Sequence, residues 1–154
     1  MNSNQAQAKA PTAIILAAGA SSRMGTPKGL LTIQGETLLA AHIQALRPFS
    51  ESIILVLGAD LHTYLNAAPS DITVRINQNW ATTSQAESVR TALEATGQQQ
   101  AAWVVPIDSS PAKPETLRQL LARGAPAVPV HKSGSRGHPA LLGVEQLAQL
   151  RLSI

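Results

Sequence analysis

Three side chains stand out by type and spacing. Arg23 and Lys28 sit in a loop of small residues, and Asp108 closes an apolar run. The loop reads Leu16-Ala17-Ala18-Gly19-Ala20-Ser21-Ser22-Arg23-Met24-Gly25-Thr26-Pro27-Lys28 and follows the apolar run Ala13-Ile14-Ile15-Leu16. Small residues let the backbone approach a ligand closely, and glycine accepts turn dihedrals that other residues resist. Backbone N–H groups along such a loop suit phosphate oxygens. Arg23 and Lys28 add positive charge at two depths. The composition fits a nucleoside triphosphate held at the end of a first strand. A Gly/Ser surface loop is the competing reading.

Two better-known phosphate loops are excluded. A Walker A loop has four residues between its glycines and the lysine directly after the second. Here five residues separate Gly19 from Gly25, and Lys28 comes three residues later. A dinucleotide fingerprint opens directly into a helix, whereas Pro27 disfavours helical geometry at Thr26. Ser21 and Ser22 do not form the Gly-x-Ser-x-Gly elbow of a hydrolase. They are read as hydrogen-bonding phosphate or the loop itself. Asp108 fits a Mg²⁺ ligand, because Mg²⁺ takes one or two carboxylates plus phosphate oxygens and water. Its competing reading is a turn or capping aspartate. His42, His62, His131 and His138 show no metal-ligand spacing, which argues against zinc.

Strand and helix patterns alternate behind these residues. Thr37 can cap a helix to about Leu46, ended by Pro48. Ser52 to Leu57 is a continuous apolar strand of the kind a buried parallel sheet requires. Asp60 can cap a helix to Ala67, and Ile72 to Ile76 alternates like a strand near a sheet edge. A helix is expected from Gln85 to Thr96, and a strand from Trp103 to Ile107 in which Pro106 is unusual. Pro114 and Glu115 open a helix that Gly124 stops. Leu30–Ile33, Ala127–Val130 and Pro139–Leu142 read as short extended pieces, and Val144–Leu152 as a final helix. The expectation is a single Rossmann-like α/β domain, three layers α/β/α around a mainly parallel sheet. Ligands of such sheets bind beyond the carboxyl ends of the strands. Those ends follow Leu16, Leu57, Ile76 and Ile107.

Composition narrows the function classes. The chain has 154 residues, enough for one domain with a real core. Aromatics are 3% against 44% apolar residues, so aliphatic side chains must build that core. There is no cysteine, which excludes disulfides and thiolate metal sites. The net charge of +3 and the lack of a basic tract give no nucleic-acid arm. No run approaches the roughly 20 apolar residues of a membrane span. The first apolar run is also too short for a signal peptide. Residues 1–11 read as a loose tail and 12–154 as the domain, with a cytoplasmic location expected.

Leu-Ala-Ala-Gly-x-Ser-x-Arg-Met-Gly-x-Pro-Lys, running on through Leu31-Thr32-Ile33-Gln34-Gly35-Glu36-Thr37-Leu38-Leu39, resembles the nucleotidyltransferases similar to molybdenum cofactor cytidylyltransferase. The guanylyltransferase of that cofactor and the cytidylyltransferase of isoprenoid synthesis are relatives. The resemblance implies transfer of a nucleoside monophosphate to a phosphorylated acceptor such as molybdopterin, with release of pyrophosphate. Ala17-Ala18-Gly19 looks like the cytidine-using branch, so CTP is expected; the guanine branch usually has Ala-Gly-Gly. The implied nucleotide contacts are Leu16, Ala17, Ala18, Gly19, Ser21, Ser22, Arg23, Gly25 and Lys28, with Asn77 and Ser88 towards base and ribose. Arg23, Lys28 and Asp108 are the implied catalytic set, Asp108 the Mg²⁺ ligand. His138, in Gly137-His138-Pro139, is implied to face the acceptor. A protein that receives the finished cofactor is an expected partner. Departures from the pattern are Ser110 at a proline position and Thr82-Thr83 at a glycine position. The chain also reads as C-terminally short, without the family's further aspartate motif. A catalytically weak nucleotide-binding or regulatory relative, or a cytidylyltransferase with a sugar phosphate or other phosphorylated alcohol as acceptor, are the alternatives.

Overall fold

The computed structural model describes residues 9–20, 25–97 and 100–153. The described residues form seven strands and five α-helices, in the order β1 Thr12–Ala17, β2 Thr32–Ile33, β3 Glu36–Thr37, α1 Leu38–Leu46, β4 Ser52–Leu57, α2 Leu61–Ala67, β5 Thr73–Ile76, α3 Gln85–Leu93, β6 Ala102–Pro106, α4 Pro114–Arg123, β7 Ala140–Leu142 and α5 Val144–Leu152. The main sheet has the order β5-β4-β1-β6-β7. β1 pairs in parallel with β4 and β6, and β4 with β5; β7 alone is antiparallel, on β6.

The apolar pattern accounts for this arrangement. Every residue of β1 is buried, so the run from Thr12 to Ala17 can lie only at the centre, covered on both faces. Alternate residues then divide between two cores. Ala13, Ile15, Ala17, Leu55, Trp103 and Val105 face Leu39, Ile43 and Leu46 of α1, Tyr64 of α2 and Leu117 and Leu120 of α4. Ile14, Leu16, Ile54 and Val56 face Val89, Ala92 and Leu93 of α3 and Leu147 of α5. The result is the expected three-layer α/β/α domain with a mainly parallel sheet.

Local chemistry sets the element ends. Thr37 Oγ1 accepts the Ala40 N–H at 3.1 Å and starts α1. Gln34 and Gly35 both have positive φ, 54° and 83°, which gives β2 and β3 a two-residue hairpin turn. Gly143 N–H donates to Gln146 Oε1 at 2.9 Å at the start of α5. Pro106 is tolerated because it ends β6. Ile107 N–H donates to Leu16 O at 2.9 Å, so the position Pro106 leaves without a donor faces the other side, where β7 stops pairing at Val104.

Some boundaries differ from the sequence expectation. Leu30 belongs to a 3₁₀ turn, Lys28–Leu30, because its N–H folds back to Pro27 O at 2.9 Å. Helix α3 stops at Leu93, where Ala95 and Thr96 tighten the chain with bonds to Ala92 O and Leu93 O. Asp60 stands before α2 with a left-handed φ of 55°, but its side chain caps nothing. Residues 127–130 make isolated bridges, Ala127 to Leu141 and Val130 to Arg136, in place of a strand. Pro126 and Pro129 remove two N–H donors there. No described helix is long and apolar enough to cross a membrane.

Candidate active site at the carboxyl edge of the sheet

β1 lies between β4 and β6, and the chain leaves it towards β4, entering β6 only later. That reversal beside β1 opens a crevice past the carboxyl ends of the strands, the usual ligand position in such sheets. The loop after β1 and the turn after β6 flank this crevice. Leu16, Ala17 and Ala18 are buried, so they contribute backbone and shape. Gly19 is exposed, and a methyl group added there would meet nothing within 4 Å. Ser21, Ser22 and Arg23 lie outside the described residues. Gly25 follows with φ of 73°, in the left-handed region that favours glycine.

The loop is held at both roots. At the first, Ala18 O accepts the Ala59 N–H at 3.0 Å. Gly58 has no room for a side chain, since a Cβ there would come within 2.6 Å of both Ala18 O and Trp80 Cβ. At the second root, Pro27 leads into the turn that presents exposed Lys28. Gly29, buried, donates its N–H to the Tyr64 hydroxyl at 3.2 Å. A Cβ on Gly29 would lie 2.6 Å from Ile107 Cγ1 and 2.8 Å from the Tyr64 oxygen. The Lys28 turn therefore rests on the end of β6 and on α2. Burial pushes the Tyr64 phenol above its ordinary 10.0, opposed by the Gly29 N–H and reinforced by the Asp60 charge. The phenol stays protonated at neutral pH.

The turn after β6 is equally defined. Ser109 N–H and Oγ both donate to Pro106 O, at 3.1 and 2.7 Å. His42, buried on α1, places Nε2 3.1 Å from Ile107 O and 2.9 Å from Ser109 O. Carbonyl oxygens only accept, so Nε2 carries the proton. Burial holds the imidazole below its ordinary 6.5, against the two carbonyls and the Asp108 charge, which raise it. Asp108 lies between the two clamped carbonyls and is exposed.

Lys28 and Asp108 line one cavity of about 480 Å³. Its remaining wall is Leu31, Thr32, Ile33 and Leu38, from the β2–β3 hairpin and the first residue of α1. Ile33 is 60% exposed, a large apolar side chain offered to the cavity. A hollow of about 450 Å³ also lies between α3 and α5. Its arginines are engaged within the protein: Arg90 with Glu87 and Ser153 O, Arg151 with Thr96 and Gly97 O.

Asn77 and Ser88 occupy the end of β5 and the first turns of α3, and both are buried. Asn77 Nδ2 donates to Ser88 Oγ and Thr83 Oγ1, both at 3.1 Å, while its Oδ1 accepts the Asn79 N–H at 3.0 Å. The pair braces the turn between β5 and α3 from inside and does not open to the cavity. His138 is exposed and precedes β7. β7 pairs antiparallel with β6 from Ala140 onwards, opposite Val104, and His138 lies two residues before that pairing begins. The residues that position the site, Gly29, His42, Gly58 and Tyr64, were not singled out by type. Small size at a close approach and one buried histidine are invisible before the packing is known.

A divalent cation fits this donor set in one way. Among the described residues no three His, Cys, Asp or Glu side chains gather to hold a metal ion. One exposed carboxylate, Asp108, lining a cavity with Lys28 would suit a divalent cation that brings phosphate oxygens and water as its other ligands.

Comparison with known proteins agrees with the fold. Residues 13–153 match the MobA-like NTP transferase domain. A 50-residue stretch is 48% identical to molybdenum cofactor guanylyltransferase of Rhizobium meliloti (strain 1021), covering 32% of this chain and 23% of that enzyme's length. The crystal structure of Rv0371c from Mycobacterium tuberculosis H37Rv superimposes with a TM-score of 0.78 at 27% identity, over 94% of this chain and 76% of that one. A structure of Rv0371c in complex with manganese gives 0.76 at 24%, over 95% and 77%. A three-layer domain, a small-residue loop after β1 and a match over nearly the whole chain lead to one conclusion: the chain belongs to the MobA-like NTP transferase family.

Proposed function

We propose that the chain transfers CMP from CTP to a phosphorylated pterin-type acceptor, molybdopterin in the first instance, and releases pyrophosphate. The observation that carries this reading is that Lys28 and Asp108 line a single cavity at the crevice beside β1. An oxygen of the acceptor phosphate attacks the α-phosphorus. The bond from that phosphorus to the bridging oxygen breaks, and the electron pair leaves with pyrophosphate. No protein nucleophile is needed; alignment and neutralisation of charge supply the rate.

The residues divide the work. Backbone groups from Ala18 to Gly25 hold the triphosphate, and Gly19 leaves its approach open. Lys28 steadies the α-phosphate and the incoming acceptor phosphate as negative charge gathers between them. Arg23 faces the departing pyrophosphate. Asp108 holds Mg²⁺, which when bound neutralises phosphate charge. Asn77 and Ser88 serve the base side indirectly, by fixing the turn that follows β5. His138, two residues before β7, is assigned to the acceptor side. The apolar wall of Leu31, Ile33 and Leu38 favours an acceptor that offers a flat ring face, such as a pterin, over a sugar phosphate. Support for the divalent ion comes from the manganese complex of Rv0371c.

GTP is the second reading, because the curated match is to a guanylyltransferase. Ala18, where the guanine branch usually has glycine, favours CTP: its methyl is buried in the core shared with Trp80. Pyrophosphate release measured with CTP, GTP, ATP and UTP, each with Mg²⁺ and molybdopterin, tests the proposal. CTP should give the highest kcat/KM. Highest turnover with GTP would replace the donor. Release with a sugar phosphate but not molybdopterin would replace the acceptor.

A further inference from the structure

We propose that His42 is a positioning residue for Asp108, acting through the backbone on either side of it. This rests on the reading of Asp108 as the ligand of a nucleotide-bound divalent cation. The geometry has an uncommon form. One imidazole nitrogen stands within hydrogen-bond distance of two carbonyls, Ile107 O and Ser109 O, and Asp108 is the single residue between them. The peptides before and after the carboxylate are thereby tied to one rigid donor. That donor is itself fixed, since His42 is 1% exposed and sits on α1 between the core residues Leu39, Ile43 and Leu46.

The surrounding bonds show why a clamp is needed. Ile107 N–H is bonded to β1, and Pro106 O already accepts twice from Ser109. The carbonyls of Ile107 and Ser109 point to the α1 side, where among the described residues His42 is their one side-chain donor. Without it, two partly or fully buried carbonyls would lack a protein donor and the turn could rotate to find one. Among the described residues Asp108 makes no side-chain hydrogen bond, so its direction follows the backbone. Groups that orient a metal ligand typically matter about ten- to hundredfold in metal affinity or activity. Burial keeps the imidazole neutral, leaving Nε2 a plain hydrogen-bond donor at neutral pH.

The test is Mn²⁺ binding in the presence of CTP, followed by electron paramagnetic resonance, on wild type, His42→Leu, Asp108→Asn and the double variant. The expected result is a ten- to hundredfold weaker Mn²⁺ affinity in His42→Leu, with metal-free CTP affinity unchanged. In the Asp108→Asn background the same change should cost nothing further, because the two residues act as one unit. A merely structural histidine would weaken both backgrounds equally, and that additivity would overturn the proposal. If His42→Leu does not fold, His42→Gln and His42→Asn decide. Gln carries an N–H at the reach of Nε2 and should hold Mn²⁺ better than Asn, which falls one bond short; equal affinities would overturn the proposal. Wild-type protein that binds CTP but no Mn²⁺ would overturn the metal assignment of Asp108 and this inference with it. Mn²⁺ binding that is equal in wild type and His42→Leu would overturn the inference alone.

Discussion

Gly29→Ala is a small change with a large expected effect. The added methyl would sit 2.6 Å from Ile107 Cγ1 and 2.8 Å from the Tyr64 hydroxyl oxygen. Ordinary contact begins near 3.4 Å, so the Lys28 turn has to lift from its seat. Ile107 cannot yield easily, because it belongs to the core between the sheet and α1. Overpacking of this kind costs about 1–3 kcal/mol. Stretching the 3.2 Å bond from Gly29 N–H to Tyr64 adds about 1 kcal/mol. A chain of this size loses roughly 2–4 °C of melting temperature per kcal/mol, so a fall of about 5–15 °C is expected. Lys28 moves with the turn, and a misplacement of about 1 Å can lower turnover a hundredfold. The assay is kcat and KM for pyrophosphate release, beside a thermal melt, for Gly29→Ala and Tyr64→Phe. Tyr64→Phe removes the hydrogen bond without the clash and should cost about 1 kcal/mol with a small effect on kcat. Gly29→Ala with wild-type stability and wild-type kcat would refute the seating of Lys28 on β6 and α2.

Three other outcomes follow from the same structure. Gly58→Ala should lose about 1–3 kcal/mol and weaken CTP binding, since its Cβ would press on Ala18 O and Trp80; titration by Trp fluorescence checks this, and unchanged affinity contradicts it. Asn77→Ala should destabilise by about 1–3 kcal/mol, leaving Ser88 Oγ and the Asn79 N–H without their partner; a urea midpoint equal to wild type counts against the bracing role. His42 has a lowered folded value, so below pH 6.5 the unfolded chain takes up a proton that the folded chain refuses. Its contribution is complete above about pH 6.5 and declines as pH falls towards the folded value. Urea midpoints at pH 7.5 and 5.5 should therefore separate more in wild type than in His42→Leu, and equal separations would remove this assignment.

Much of the fold was legible in particular residues. The unbroken apolar runs 13–16 and 53–57 allowed only buried strands, and both became neighbouring central strands. Thr37, Pro114 and Gly124 marked helix ends because their chemistry is local. Residues 127–130 misled, since Val128 and Val130 favour a strand while the intervening Pro129 cannot complete its ladder. Asp60 misled for another reason: capping requires an extended backbone, and its φ is left-handed. In the site, the Lys28 and Asp108 types were readable, and their sharing of one cavity was not. That depends on β1 and β6 being adjacent, a pairing between residues far apart in sequence. The clamp by His42 was hidden for the same reason, as 65 residues separate it from Ile107. Asn77 and Ser88 carried donors and acceptors suited to a ligand, and the packing turned those groups towards each other.

The most direct measurement follows label from CTP in the full chain with Mg²⁺ and molybdopterin. With the label on the α-phosphate, the account predicts that it appears in the acceptor product. With the label on the γ-phosphate, it should appear in pyrophosphate, and Lys28→Ala and Asp108→Ala should each slow both by a hundredfold or so. Appearance of the α label in free CMP at equal rates with and without acceptor, or full transfer by Asp108→Ala, would contradict the account.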